Sequence, residues 1–268
     1  MSVWFRFMIG ILIGAGAILP GISSGVLCVV FGIYDRLIES VLGFFKDMKK
    51  NTLFLFPIVI GVAIGVVLLG NVLKILFESY PFQTKCAFLG LILGCIPNLF
   101  HIANSKKGFR LHYIGYTVLS FIFTLILLGF ENALPTNTMA TTSNTLFLVL
   151  SGFVMSAGVV VPGVSSTVLL MILGTYETYL NAISTVNLSI LFPMGIGLTI
   201  GGLLFLKLIQ FLLKTHFSET YYTIIGFVLG STLILVPSLK FNITSIFSIA
   251  ILIFCFWLGK QLEAKSDS

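Results

Sequence analysis

Charge is what this chain has least of. Only 9% of its 268 residues are charged, and acids are scarcer than bases, nine against fifteen. A soluble domain cannot clothe itself with so few charges, and a mean hydropathy of +1.11 excludes that class. The three histidines, His101, His112 and His216, are scattered near segment ends, without enough acids to complete a metal site or a nucleophile relay. Cys28, Cys86, Cys95 and Cys255 all lie in apolar runs, with neither C-x-x-C spacing nor loop context, so they read as packing residues. No metal, cofactor or nucleic-acid partner is expected.

Apolar residues make up 57% of the chain, in runs that approach or exceed the roughly 20 residues needed to cross a bilayer. These runs read as helices, since the strands of a membrane barrel would alternate polar and apolar positions. The expectation is an all-α polytopic membrane protein. Apolar segments fall near 3–19, 22–45, 53–77, 84–103 and 111–131, and again near 145–160, 164–183, 190–213, 220–237 and 243–260. The stretch from Trp4 to Ala17 has the look of a secretory signal, but a second copy of its pattern lies mid-chain, where no signal peptidase could use it.

That second copy marks a duplication. Gly16-Ala17-Ile18-Leu19-Pro20-Gly21-Ile22-Ser23-Ser24-Gly25 returns 142 residues later as Gly158-Val159-Val160-Val161-Pro162-Gly163-Val164-Ser165-Ser166-Thr167. Both copies run on without insertion to Gly32-Ile33-Tyr34-Asp35 and Gly174-Thr175-Tyr176-Glu177. A second block matches at an offset of 136, pairing Phe56-Pro57, Gly61, Gly65, Gly90 and Gly94 with Phe192-Pro193, Gly197, Gly201, Gly226 and Gly230. Glycines four apart suit close helix packing, within the chain or in a homo-oligomer. The halves divide as 1–131 and 145–268, joined by an uncharged linker, 132–144.

Positive charge decides the topology. If the first two segments of each half form a hairpin and the N-terminus is cytoplasmic, 12 basic residues fall inside and only Lys74, Lys85 and Lys240 outside. Single crossings would split the basic residues 7 to 8. A hairpin plus three crossings has odd parity, so the second half is inverted relative to the first, both termini are cytoplasmic and the linker is external. The hairpins then enter from opposite faces, and their Pro-Gly-x-Ser-Ser tips approach each other. Lengths alone leave open whether each hairpin re-enters or spans.

Pro-Gly removes a helix donor and loosens the backbone, and paired breaks in duplicated halves point to a transporter's binding site. A helix restarting after the break exposes amides of its first turn, which attract anions. Pro20, Gly21, Ser23, Ser24 and Gly25 in one copy, and Pro162, Gly163, Ser165, Ser166 and Thr167 in the other, are the candidate site for a phosphate or carboxylate. The serines would equally serve as ordinary helix caps. The Tyr34-Asp35 and Tyr176-Glu177 pairs fall ten to twelve residues past the serines, about 15–18 Å along a continuous helix, where the tyrosines would mark the interface. The two acids are candidates for ion coupling. Lys207, set in an apolar run, either snorkels to the cytoplasmic face or draws an anionic headgroup inward.

Together, the paired Pro-Gly-[Val/Ile]-Ser-Ser breaks and the Gly-x-Tyr-acid sequences resemble the bacterial polyprenyl-phosphate transporters, over about Trp4 to Lys260. The resemblance implies a flippase of the cytoplasmic membrane that returns undecaprenyl phosphate from the outer to the inner leaflet for envelope polymer synthesis. It places the substrate at the residues of both breaks. The pattern departs at Ala17, where the family often carries an acid, so ion coupling through that acid does not carry over. A transporter or channel for a small soluble anion could use the same geometry, and an intramembrane lipid-phosphate hydrolase would need a His, Asp and Arg cluster that is not evident.

Overall fold

A computed structural model describes residues 2–18, 24–65, 75–76, 79–133, 144–185, 187–236 and 243–264. Pro20, Gly21 and Ser23, the side chain of Ser24, and most of the 132–144 linker lie outside the described residues.

The described residues form twelve α-helices and one 3₁₀ turn, with no strand among them. In the first half α1 spans Val3–Ile18, α2 Ser24–Val30, α3 Tyr34–Leu42, α4 Met48–Ile64, α5 Pro81–Asn104 and α6 His112–Ala133. In the second, α7 spans Thr145–Val160, α8 Ser166–Ile172, α9 Tyr176–Ser184, α10 Leu188–Thr215, α11 Phe217–Thr232 and α12 Ile243–Ala264. Local chemistry sets several starts. Asp47, Asn144 and Asn187 each accept a backbone N–H of the following turn, at 3.1, 3.0 and 3.1 Å, and Pro81 opens α5 where its missing donor costs nothing. Four of the six helix pairs match in length between the halves: α1 and α7 have 16 residues each, α2 and α8 seven, α3 and α9 nine, α6 and α12 twenty-two, whereas α4 and α10 have 17 and 28 and α5 and α11 have 24 and 16.

One expectation needs correction. The runs at 22–45 and 164–183 are not continuous helices. Each is cut in two by a glycine in left-handed conformation, Gly32 at φ +65° and Gly174 at φ +68°. The closure is the same twice over. Gly32 N–H donates to the Val29 carbonyl and Ile33 N–H to that of Cys28, as Gly174 does to Met171 and Thr175 to Leu170, all at 2.9–3.0 Å. This double bond pattern caps a helix C-terminus and needs φ > 0 at its glycine. The repeated Gly-x-Tyr-acid sequence is therefore a helix stop followed by a new start, and Asp35 and Glu177 stand in the first turns of α3 and α9.

Glycines build the helix pairs. α1 packs on α4 and α7 on α10; α5 packs on α12 and α6 on α11, and α5 and α11 meet at the centre. A Cβ at Gly10, Gly61 or Gly65 would collide with backbone across the α1–α4 seam, and one at Gly152 or Gly197 with backbone across the α7–α10 seam. Gly90 and Gly94 lie against the backbone of Leu252 and Phe256, whereas Gly226 and Gly230 face Thr117, Ser120 and Thr124. The matched glycines thus serve internal seams. Three helices, Pro81–Asn104, His112–Phe130 and Leu188–Thr215, are long and apolar enough to cross a membrane, with shorter apolar helices beside them. Phe192, Leu119 and Ile253 are more than 60% exposed on their outer faces, as expected where lipid is the solvent. This is a multi-pass membrane protein.

Three expected outcomes follow from the glycine environments. Gly197→Leu should lower stability by about 1–3 kcal/mol, because its side chain would displace the Val149 carbonyl. Gly195→Leu on the same helix, with open space around it, should change stability by less than about 0.5 kcal/mol. Gly174→Ala should cost about 1–2 kcal/mol through its positive φ. Thermal unfolding of the purified protein in detergent measures all three.

Candidate functional site

The second break is described throughout. α7 ends at Val160 because Val161, preceding a proline, takes the extended conformation (φ −82°, ψ 117°). Gly163 then turns at φ +80° with its Cα pressed against the Phe227 backbone of α11, a place with no room for a side chain. Pro162, Gly163 and Val164 are buried. α8 restarts with Ser165 as N-cap, its Oγ accepting the Val168 N–H at 3.4 Å. That contact uses the oxygen as acceptor and leaves the hydroxyl proton to donate elsewhere. Ser166 and Thr167 are half-buried, and among the described residues neither side chain makes a hydrogen bond. Gly158, one turn before the break, lies against the backbone of Ser165 and Ser166. In the first copy, Ser24 opens α2 and Gly25 is buried.

The break leaves a carbonyl in need. The Val164 N–H, which would continue the helix to Val160, bonds instead to Val161 at 3.3 Å. The Val160 carbonyl is taken up by the Tyr34 hydroxyl of the other half, which donates to it at 2.8 Å in a buried contact. Tyr34 is 6% exposed, so it does not serve as an interfacial anchor, and the placement expected from its sequence position is corrected. Next to it, Asp35 Oδ2 accepts the Tyr221 hydroxyl at 2.7 Å, tying α3 to α11. The other oxygen of Asp35 is buried and has no hydrogen-bond partner among the described residues. α3 is short and amphipathic.

Around α3 the polar groups thicken. A cleft of about 390 Å³ between α3 and α4 is lined by Asp35, Arg36, Glu39, Ser40, Lys50, Asn51 and Phe54. Its two cations and two anions cancel, so it has no net charge to draw a phosphate. Arg36 and Arg6 both lie over the Phe54 ring, at 4.7 and 5.5 Å. Arg6 is buried and donates to the Leu53 carbonyl at 2.9 Å. Nearby basic residues find aromatic and acidic partners, Lys106 over the Phe217 ring at 3.9 Å and Lys107 beside Glu219 at 3.9 Å.

The sequence candidates therefore separate into groups. The residues of the second break come together on one buried turn. Asp35 binds Tyr221, a partner that no repeat signal announces. Glu177, on α9, is half-buried, and among the described residues it has no ion pair. Lys207 is exposed on the face of α10 that carries Leu203, Leu204 and Leu208, an orientation that suits snorkelling. Among the described residues no group of three or more His, Cys, Asp or Glu could hold a metal ion.

Known proteins give a consistent comparison. The family described as VCA0040-like, undecaprenyl phosphate translocase-like, matches residues 13–248. A polyprenyl-phosphate transporter of Staphylococcus aureus is 32% identical over 252 residues, covering 90% of this chain and 88% of its own. A polyprenyl-phosphate transporter of Vibrio cholerae is 27% identical over 245 residues, covering 86% and 77%. No solved structure matches. On the family match across most of its length, joined by a relative of that identity and coverage, this chain belongs to the undecaprenyl phosphate translocase-like family.

Proposed function

We propose that this protein flips undecaprenyl phosphate from the outer to the inner leaflet of the bacterial cytoplasmic membrane, with the phosphate held at the paired Pro-Gly-x-Ser-Ser breaks. The isoprenoid tail stays in lipid throughout, so only the headgroup crosses. Replacing its hydration by backbone amides and hydroxyls lowers the cost of burying an anion without a buried cation. The observation that carries this reading is the second break itself, a buried turn beside which Ser166 and Thr167 have, among the described residues, no acceptor for their hydroxyl protons. The names of the two relatives give the substrate class.

The architecture we propose is a pair of inverted repeats with re-entrant hairpins and cytoplasmic termini. Three observations support it. Four of the six helix pairs have equal lengths in the two halves. The third long helix of each half packs on the last helix of the other, α5 on α12 and α11 on α6, an arrangement unchanged when the halves are exchanged. And α2 and α8, at seven residues, rise about 10 Å each, too little to cross a bilayer alone. Alternating access then comes from one half rocking against the other.

Liposomes containing the purified protein and polyprenyl phosphate, treated with an impermeant phosphatase, test the function. Protein-free vesicles should lose only outer-leaflet headgroups, whereas wild-type protein should carry the loss towards completion. Ser166→Ala with Thr167→Val should slow that loss about tenfold or more, as removal of hydrogen bonds to a charged group predicts, with unfolding temperature unchanged because neither residue caps α8. A plateau equal to that of empty vesicles would sink the lipid substrate and favour a soluble anion. Full-speed loss in the double variant would sink the site alone.

A further inference from the structure

The two halves are not in equivalent states. α3 is docked, with Tyr34, Ile38 and Ser40 buried and two hydrogen bonds into the other half, Tyr34 to Val160 and Asp35 to Tyr221. Its counterpart α9 has, among the described side chains, one buried residue, Ala182. A transporter made of two inverted copies reaches its opposite state when each half adopts the other's conformation, an inference that rests on the inverted-repeat reading above.

Exchanging the halves tells which contacts that opposite state should contain. At the 142-residue offset Tyr34 becomes Tyr176, Asp35 becomes Glu177 and Val160 becomes Ile18. At the 136-residue offset, which aligns Gly226 and Gly230 with Gly90 and Gly94, Tyr221 becomes Lys85. The bond between Asp35 and Tyr221 thus maps onto Glu177 and Lys85, a carboxylate facing an ammonium. Nothing in the duplication requires position 85 to complement an acid. Lys85 is one of only three basic residues that the charge distribution places outside, where the second hairpin also enters.

We propose that Asp35–Tyr221 and Glu177–Lys85 are alternating latches of the transport cycle. The first holds α3 closed in the state seen here, and the second holds α9 closed in the opposite state. Tyr221 and Lys85 are then positioning residues. They set which face of the protein admits the phosphate headgroup, and neither needs to touch it. In this structure the second latch is open, since among the described residues Glu177 and Lys85 form no ion pair.

Cysteine pairs test this in proteoliposomes containing polyprenyl phosphate, after replacement of Cys28, Cys86, Cys95 and Cys255. D35C/Y221C and K85C/E177C should each be joined by a short bifunctional thiosulfonate. Either cross-link should stop headgroup loss to the impermeant phosphatase, and reduction should restore it. Adding Tyr221→Phe to the K85C/E177C protein should raise its cross-linking rate about tenfold, because loss of a hydrogen bond to a carboxylate shifts the population towards the other state. The charge reversal K85E/E177K should recover transport lost in either single variant. Linking of D35C/Y221C without any linking of K85C/E177C, even with Tyr221→Phe, would overturn the proposal, as would a charge reversal no better than the singles. Cross-linking that responds to Tyr221→Phe in protein that flips no polyprenyl phosphate would instead retire the substrate and leave the latches standing.

Discussion

A backbone carbonyl stripped of its helical partner is the constraint around which this structure is organised. Pro162 has no N–H and forces Val161 to extend, so the last turn of α7 is left with acceptors that its own helix cannot satisfy. In a soluble protein water would serve them. At membrane depth a non-helical stretch survives only when protein covers it or when it lines a wet cavity. Tyr34 supplies the cover for Val160 across the interface between the halves, and α11 supplies it for Gly163. The break is therefore a place where the two halves are obliged to meet.

Close meeting depends in turn on small residues. Lipid tails are as apolar as leucine, so helices in a bilayer gain little by hiding apolar side chains from it; they associate through contact and hydrogen bonding. Glycine at 10, 61 and 65 on one seam and at 152 and 197 on its counterpart lets backbone lie on backbone. Hydroxyls work between the helices as well, for Thr117 donates to the Tyr222 carbonyl at 2.8 Å and links α6 to α11. Large apolar side chains such as Phe192 and Leu119 also stand on the outer faces, where lipid is the solvent.

Much of this was legible in the sequence, and the limits have physical reasons. The duplicated sequence, the helical class, the second break and the glycine seams are local or periodic properties that composition and spacing report directly. The division of 22–45 into α2 and α3 was written in Gly32, but hydropathy does not register it, because Ile33 and Tyr34 keep the run apolar while the backbone turns through positive φ. The burial of Tyr34 was hidden for a different reason. Its acceptor is 126 residues away and is a backbone carbonyl, which any residue type could offer. Tyr221 was also missed, since its equivalent in the first half is Lys85 and a search for repeated chemistry passes over such a pair.

That last mismatch separates two kinds of position in the duplicated halves. Where the backbone dictates the residue, the copies agree: Gly32 with Gly174, Gly61 with Gly197. A left-handed turn or a backbone-to-backbone seam accepts almost nothing but glycine, and a proline break needs proline. Where a side chain meets a side chain, the copies are free to differ provided that each pair remains complementary, and Asp35 with Tyr221 against Glu177 with Lys85 has that form. A neutral hydrogen-bond donor on one side and a cation on the other would also give the two closed states unequal energies. Such inequality is what a carrier needs if its empty form is to wait preferentially on one face of the membrane, since a ligand shifts a two-state equilibrium only by its difference in affinity for the two states.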